Sequence, residues 1–481
     1  MTDQDTFLKI ILEFCSKFNF AESSFGRKVV NDGKFVSRLR SGSRVTPETW
    51  AKVANFIENH SGDKKLNINL NDLHLIPKSN KKIIASKEED IKIMNSGKDS
   101  DSSKKDFRFF DNRQKYLLFV STCNEKEIVS KRVGMELDHI HPQPPALRIF
   151  DAGMGDGSVL AGVMREMHHK FPTLPFYVAG KEISLEDVRI SLSKMADRLY
   201  EHPATVLVFT NLLYSEAPWL KPRSLEAANA MVWKEVSLLG DSSHQFEEQL
   251  NGLRDFLSEN WKAEHSKKTG NPIYQRPTVL VVYRNDHKFL LNNIIPKQEI
   301  KKADYDLVIA SQPYRLRVSS EIKSKNVILP LVRSLREGGR LIGIHSAGSD
   351  PGHEIIRKIW PKDVLFSENR HNLLSSLKTH LGSESANFNI KANSDSRSLF
   401  KYIMHSLPSE LEASIGTSTL FAAWNAATYV AQIEDQRIEE AMKSSDYMSV
   451  TQSILKKHGG LWFNDESFTV SKRCLSVFSI W

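Results

Sequence analysis

The chain has 481 residues, room for one large domain and a small one, and its 66 Lys and Arg against 58 Asp and Glu leave a formal net charge of +8. That excess is too small for a histone-like polycation, while 40% hydrophobic and 26% charged residues supply a sizeable core and exclude wholesale disorder. Cys15, Cys123 and Cys474 are too scattered for a metal knuckle or a disulfide framework, no apolar run reaches the ~18 residues of a membrane span, and the acidic start is unlike a signal peptide; a soluble cytoplasmic protein without a metal is predicted.

Residues 6–60 carry helical periodicity. Within them, 24–30 and 34–40 read as two short helices about a tight turn at Asn31, Asp32 and Gly33. Phe25 and Val29 stand at i,i+4, as do Phe35 and Leu39, so the pair can share a small core. Lys34, Ser37, Arg38 and Ser41 then point outward together, flanked by Arg40 and Arg44. A third helix opens with Thr46 as N-cap and Pro47 at its first position, burying Trp50, Val53, Ala54 and Ile57. From Glu22 to Val45 six basic residues stand against two acidic ones.

This segment resembles the helix-turn-helix of repressor-like DNA-binding domains. The resemblance implies an all-α domain over 1–60, a recognition helix at 34–41, and nucleic-acid contact through Lys34, Ser37, Arg38, Arg40 and Arg44. The residues themselves also fit a helical docking or oligomerisation domain with a solvated basic face. Residues 61–106 have few apolar side chains and charges alternating in sign. They cannot bury enough surface to offset their chain entropy, and read as a flexible linker.

From Phe107 to the end, apolar strand-like runs alternate with amphipathic helices, the pattern of an α/β layer fold. The HxH at His139 and His141 lies in a proline-rich stretch with no further ligand nearby, and reads as loop. Leu147, Ile149 and Phe150 form a short strand that ends in Asp151, and Gly153, Gly155 and Gly157 follow at every second position. A helix then opens, with Val159, Leu160, Val163, Met164 and Met167 on one face. Strand, glycine loop, helix is the context in which backbone approaches a nucleotide closely. A carboxylate at the strand end repels a pyrophosphate but tolerates a ligand bearing ammonium and sulfonium groups.

The D-x-G-x-G-x-G spacing resembles motif I of class I S-adenosylmethionine (SAM) dependent methyltransferases. It implies that Asp151, Gly153, Gly155 and Gly157 hold the amino acid part of SAM. Phe176–Glu182 reads as a second strand ending in an acid, and the family places such an acid on the ribose hydroxyls, which implies that role for Glu182. Leu185, Val188, Leu192, Met195 and Leu199 mark the next helix. A third strand, 205–209, delivers Asn211, where the family has an acid or amide for the adenine.

Residues 214–304 then form an insertion, with a helix-like part at 232–261 and an apolar run at 278–283 that reads either as part of a recognition lobe or as a core strand. Tyr305–Tyr314 is a strand and its exit loop. It resembles motif IV of enzymes that methylate exocyclic amines, keeping Ser311, Pro313 and Tyr314 but carrying Gln312 where the first proline stands; the resemblance implies that these three place the acceptor. A helix stopped by Gly338-Gly339 leads to a fifth strand ending near His345, a residue open to a structural role or a role as site base. Residues 367–455 read as a helical insertion, and 461–470 as a hairpin turning at Asn464-Asp465.

The implied whole is a Rossmann-like α/β methyltransferase domain over 107–481 with helical insertions, using SAM, and joined to the small helix-turn-helix domain. Its acceptor is open, nucleic acid included. Two other functions fit the same residues: a transcriptional regulator that only senses SAM, and a small-molecule or protein methyltransferase with a docking domain.

Overall fold

The computed structural model describes residues 3–18, 20–41, 45, 49–50, 52–54, 56–57, 113–266, 270–299, 302–406, 415–444 and 446–474. Arg44, the expected cap at Thr46 and Pro47, and the expected linker at 61–106 lie outside them. Two compact units are formed, Met1–Lys104 and Lys105–Trp481.

In the small unit, α1 (Asp3–Lys17), α2 (Glu22–Val30) and α3 (Phe35–Arg40) surround an aromatic core. Phe7, Ile10, Ile11 and Phe14 of α1 meet Phe25, Phe35, Val36 and Leu39, together with Val53 and Ile57. The turn between α2 and α3 closes on Asn31 in the left-handed region, φ 54°, a conformation Asn tolerates better than most residues. Where a Cβ at Gly26 would stand, the Asp32 carbonyl lies 2.3 Å away, so only glycine lets the turn pack against α2.

Among the described residues of the large unit twelve strands form in chain order: β1 (Leu147–Asp151), β2 (Phe176–Lys181), β3 (Thr205–Thr210), β4 (Val232–Leu238), β5 (Ala263–His265), β6 (Pro272–Tyr274), β7 (Thr278–Arg284), β8 (Tyr305–Ser311), β9 (Leu335–Ser346), β10 (Phe388–Lys391), β11 (Leu399–Ile403) and β12 (Trp462–Lys472). The main sheet runs β10-β12-β9-β8-β1-β2-β3-β7-β4, with β11 also on β12, while β5 and β6 form a separate ribbon. Its centre, β3-β2-β1-β8-β9, is parallel. These strands are apolar on both sides because both are covered: Leu147 and Ile149 face one cluster, Phe150 the other.

The covering helices include α4 (Arg113–Thr122), α5 (Glu125–Gly134), α6 (Ser158–Lys170) and α7 (Leu185–Glu201). Ser184 caps α7, accepting from the Asp187 amide, and Val188, Leu192, Met195 and Leu199 form its buried stripe. No helix among the described residues is long and apolar enough to cross a membrane.

Several sequence expectations are corrected. Residues 232–261 begin with strand β4 before turning helical at Ser243–Asn251 and Arg254–Asn260. Of the two readings left open for the run at 278–283, the structure takes the core strand: β7 is fully buried and antiparallel to β3. The insertion therefore widens the sheet, since a run of β-branched residues with no polar face needs cover on both sides. Gly338-Gly339 lies inside β9 rather than stopping a helix. Gly338 is at φ +75°, and a Cβ at Gly339 would stand 2.5 Å from the Tyr305 carbonyl, where the register of β8 and β9 shifts. Residues 367–455 carry β10 and β11 as well as helices. No hairpin forms at Asn464-Asp465: β12 runs straight through, because Asn464 bonds the carbonyls of Gly348 and Ser349 and its amide reaches Asp350. Those remote partners override the local turn preference.

Candidate functional site

From β1 the chain builds β2 and β3 to one side, then returns to build β8 and β9 on the other. The crevice beyond the C-terminal ends of β1 and β8 is thus the point where strand order reverses, the place where open α/β sheets bind ligands. A cavity of about 880 Å³ opens there, lined by Gly153 and Gly155, by Lys181 and Glu182 at the end of β2, and by Ser311, Gln312, Pro313 and Tyr314 after β8.

The three glycines have different physical roles. A Cβ at Gly153 would meet nothing within 4 Å, so this residue keeps a cradle open beside the cavity. Gly155 turns the chain at φ +52°. Gly157, at φ +76°, lies away from the cavity: a Cβ there would stand 2.4 Å from Ser191 Oγ, so this glycine lets the start of α6 approach α7.

Two carboxylates underlie the loop. Asp151 is 1% exposed, sits beneath the cavity rather than on its wall, and accepts from the Gly153 amide at 3.2 Å. Burial, reinforced by the charge of Glu182, pushes its pKa up to about 7 against the pull of the Gly153 amide and Lys126. Glu182 accepts from the amides of Gly155 (2.9 Å), Ile183 and Ser184 (2.8 Å each), yet burial holds its pKa above the usual carboxylate range. A positively charged ligand is what such a pair lacks.

Asn211 is not brought to this place. Its Oδ1 accepts from the Thr278 amide at 2.8 Å and its Nδ2 donates to the Arg276 carbonyl at 2.9 Å, so the side chain clamps β3 to the entry of β7. With both ends of its amide used, and away from the cavity wall, it corrects the adenine role that the sequence resemblance implied.

The exit of β8 is held differently. Gln312 sits at φ +48°, which proline, locked near −65°, cannot adopt. The Pro-Pro turn of the amine-methylating motif therefore cannot form here, and Gln312 instead donates from its amide to the Ile344 carbonyl (2.9 Å) and from Nε2 to Ser346 Oγ (3.1 Å). Tyr314 Oη lies 2.6 Å from His345 Nδ1, and His345 Nε2 lies 2.6 Å from Glu466 Oε1. Arg370 closes the chain, its Nη1 donating to Glu466 Oε2 at 2.6 Å and its amide to Oε1 at 2.7 Å. Burial would raise the Glu466 pKa, but His345 and Arg370 bring it down to about 2. His345 is thus a buried prop behind the tyrosine. Burial and the nearby Glu466 push the Tyr314 phenol up.

Other wall residues carried no sequence signal. Tyr116 of α4 has its hydroxyl 3.7 Å from where a Cβ at Gly155 would stand, and Lys126, Tyr402 and Tyr429 also line the cavity. Lys181 and Tyr214 occupy its floor: Lys181 Nζ lies 4.7 Å from the Tyr214 ring centre, and Tyr214 Oη donates to the Pro313 carbonyl at 2.7 Å. His139 and His141 are exposed, and no metal-holding cluster occurs among the described residues. In the small unit Lys34, Ser37, Arg38 and Arg40 are exposed, with Arg38 paired to Asp32 and Arg40 to Glu22 at 2.8 Å.

No family model and no curated protein matches the chain. Among solved structures, a geranyl diphosphate methyltransferase in complex with GPP and sinefungin aligns over 72% of this chain and 77% of its own at 11% identity and TM-score 0.29. A loganic acid methyltransferase with SAH aligns over 75% and 94% at 10% identity and TM-score 0.27. An rRNA methyltransferase from Streptomyces viridochromogenes aligns over 46% and 73%, at 10% identity and TM-score 0.19. All three likenesses are distant.

Proposed function

We propose that the chain is a SAM-dependent methyltransferase whose acceptor sits against Ser311, Pro313 and Tyr314. The observation that carries this reading is the joining, in one cavity, of Gly153, Gly155 and Glu182 with that acceptor loop, over a buried Asp151 held near pKa 7. SAM fits the donor set. Its ammonium and sulfonium supply the positive charge that two desolvated carboxylates need, the open side of Gly153 leaves room for its amino acid part, and a carboxylate has acceptor sites to spare for ribose hydroxyls.

When bound, SAM supplies a methyl group already activated by the sulfonium charge. The protein's part is then mainly positioning and exclusion of water. Asp151 and Glu182 orient the donor, Gly157 keeps α6 against α7 behind the loop, and the Tyr314 ring, propped by His345, forms a fixed wall for the acceptor. The test is SAM calorimetry joined to a labelled-methyl assay on DNA, RNA, small-molecule and protein fractions. Binding with transfer is expected. Binding without transfer favours a SAM sensor, and absence of SAM binding ends the reading.

The exposed face of Lys34, Ser37, Arg38 and Arg40 supports nucleic-acid contact by the small unit, with two guanidiniums exchanging a carboxylate for a phosphate. Arg38→Ala with Arg40→Ala is expected to weaken DNA binding and flatten its salt dependence. An unaltered gel shift removes this part alone.

A further inference from the structure

The cavity is rich in charged side chains. Its wall carries three carboxylates, Glu125, Glu182 and Asp187, and each is engaged near the glycine loop or the helices around it. Glu182 is bonded to the loop, Asp187 pairs with Arg113 at 2.9 Å, and Glu125 pairs with Lys126 at 3.0 Å. Lys181, Arg223, Lys323 and Lys325 line the cavity too: Lys181 adjoins Glu182 but lies over the Tyr214 ring, whose hydroxyl holds the Pro313 carbonyl, and Lys323 lies over the Tyr314 ring. Arg315 and Arg333 add to them, the latter already bidentate with Glu384.

Lys181 is the most telling. It is 8% exposed, lines the cavity, and makes no hydrogen bond to a protein acceptor among the described residues. A ring face and the neighbouring Glu182 are its company, and burial holds its pKa down. An ammonium with three donors and no acceptor is incompletely satisfied when removed from water. Lys323 is 3% exposed, with Nζ 5.0 Å from the Tyr314 ring centre and one bond, to the Leu316 carbonyl at 3.0 Å. Burial pulls its pKa down to about 8 although Glu368 and Glu466 oppose this, so it still carries its charge at neutral pH with little solvent to satisfy it. At the rim, Arg223 and Lys325 are exposed and unpaired among the described residues, Lys325 standing in the π-helical turn Ser324–Ile328. Such turns recur at functional sites.

We infer that the acceptor half of this cavity is an anion site, with Lys181 at its floor, Lys323 on its wall and Arg223 and Lys325 at its mouth, and that the methyl acceptor carries a phosphate group. Only the word acceptor rests on the methyltransferase reading; the anion site stands on the side chains. Phosphate offers several acceptor oxygens to converging ammonium and guanidinium donors. The phosphate source is either a nucleic-acid backbone or a small phosphate ester.

The test uses the full chain and inorganic pyrophosphate as calorimetric probe, with SAM titrated separately. Pyrophosphate is expected to bind, and to bind about tenfold or more weakly to Lys181→Met and to the exposed double variant Arg223→Ala with Lys325→Ala. SAM affinity in the double variant is expected to be unchanged. Failure of pyrophosphate to bind, or equal binding to wild type and the double variant, overturns the inference. A single-stranded oligonucleotide that displaces pyrophosphate, with a salt slope that falls in the double variant, assigns the phosphate to nucleic acid. An oligonucleotide that does not displace it assigns the site to a small phosphate ester. Loss of SAM binding in wild type defeats the methyltransferase reading and leaves the anion result to be judged alone.

Discussion

The loops leaving β1 and β8 stand side by side at the ends of neighbouring parallel strands, yet they are built on opposite principles. The first is made of backbone: glycines at positive φ, an open cradle at Gly153, and two carboxylates held by backbone amides, Asp151 by that of Gly153 and Glu182 by that of Gly155. The second is made of side chains brought from afar, with a non-glycine residue at positive φ and a tyrosine propped through His345, Glu466 and Arg370. A backbone-built loop can mould itself to a ligand, whereas a loop held by a buried charged chain presents a fixed wall. Under the proposed function, the first loop would wrap the cofactor and the second would aim the acceptor.

The sharpest way to break this contrast is Gln312→Pro, which would restore the Pro-Pro motif in sequence. It should cost about 3 kcal/mol or more, because proline cannot take φ +48° and the bond to Ile344 is lost. Urea unfolding measures it, and a variant as stable as wild type would show that the turn is not rigid.

Next in size, Asp151→Asn should weaken SAM binding by about 2 kcal/mol, roughly thirtyfold, since it removes a buried charge beneath the glycine loop that would hold the cation. The sign of the pH effect follows. With Asp151 near pKa 7 in the free protein and a ligand that favours the ionised form, binding below pH 7 must expel a proton, so affinity rises with pH and levels above about 7. Calorimetry at several pH values should give that rise in wild type and a shallower one in Asp151→Asn, where only Glu182, also raised by burial, remains to lose a proton; equal slopes would remove Asp151 from the site.

Tyr314→Phe should cost about 1–2 kcal/mol by leaving His345 Nδ1 without its partner in a buried place. No loss of stability would mean that the prop is not closed in solution. The smallest effect is expected at Gly153→Ala, less than about 0.5 kcal/mol in folding, because its φ lies outside the left-handed region and the new methyl meets open space. A large drop in thermal midpoint would place protein atoms where the cradle is drawn.

How far the sequence could be read follows the same division. The strand ending at Asp151, the glycine spacing and the stripe on α7 were legible because each depends on residues within a few positions of one another. Asn211 was not, since its clamp depends on Thr278 and Arg276 arriving across the β3–β7 seam. Asn464-Asp465 misled because turn chemistry was outweighed by bonds to the 348–350 loop. Lys181 sits inside an ordinary strand pattern, and nothing nearby announces that its amine is buried at a cavity floor.

By itself, the chain's local order determined an alternation of strands and helices, a glycine turn after the first strand with acids at two strand ends, and a basic face on a small helical unit. Periodicity and backbone freedom are properties of neighbouring residues, so they need no fold to be expressed. Only the tertiary structure decided which loops share a cavity, which polar side chains are consumed as clamps, and which charged side chains are buried. Those outcomes depend on burial and on partners far apart in the chain, and desolvation acts only once the sheet has brought them together.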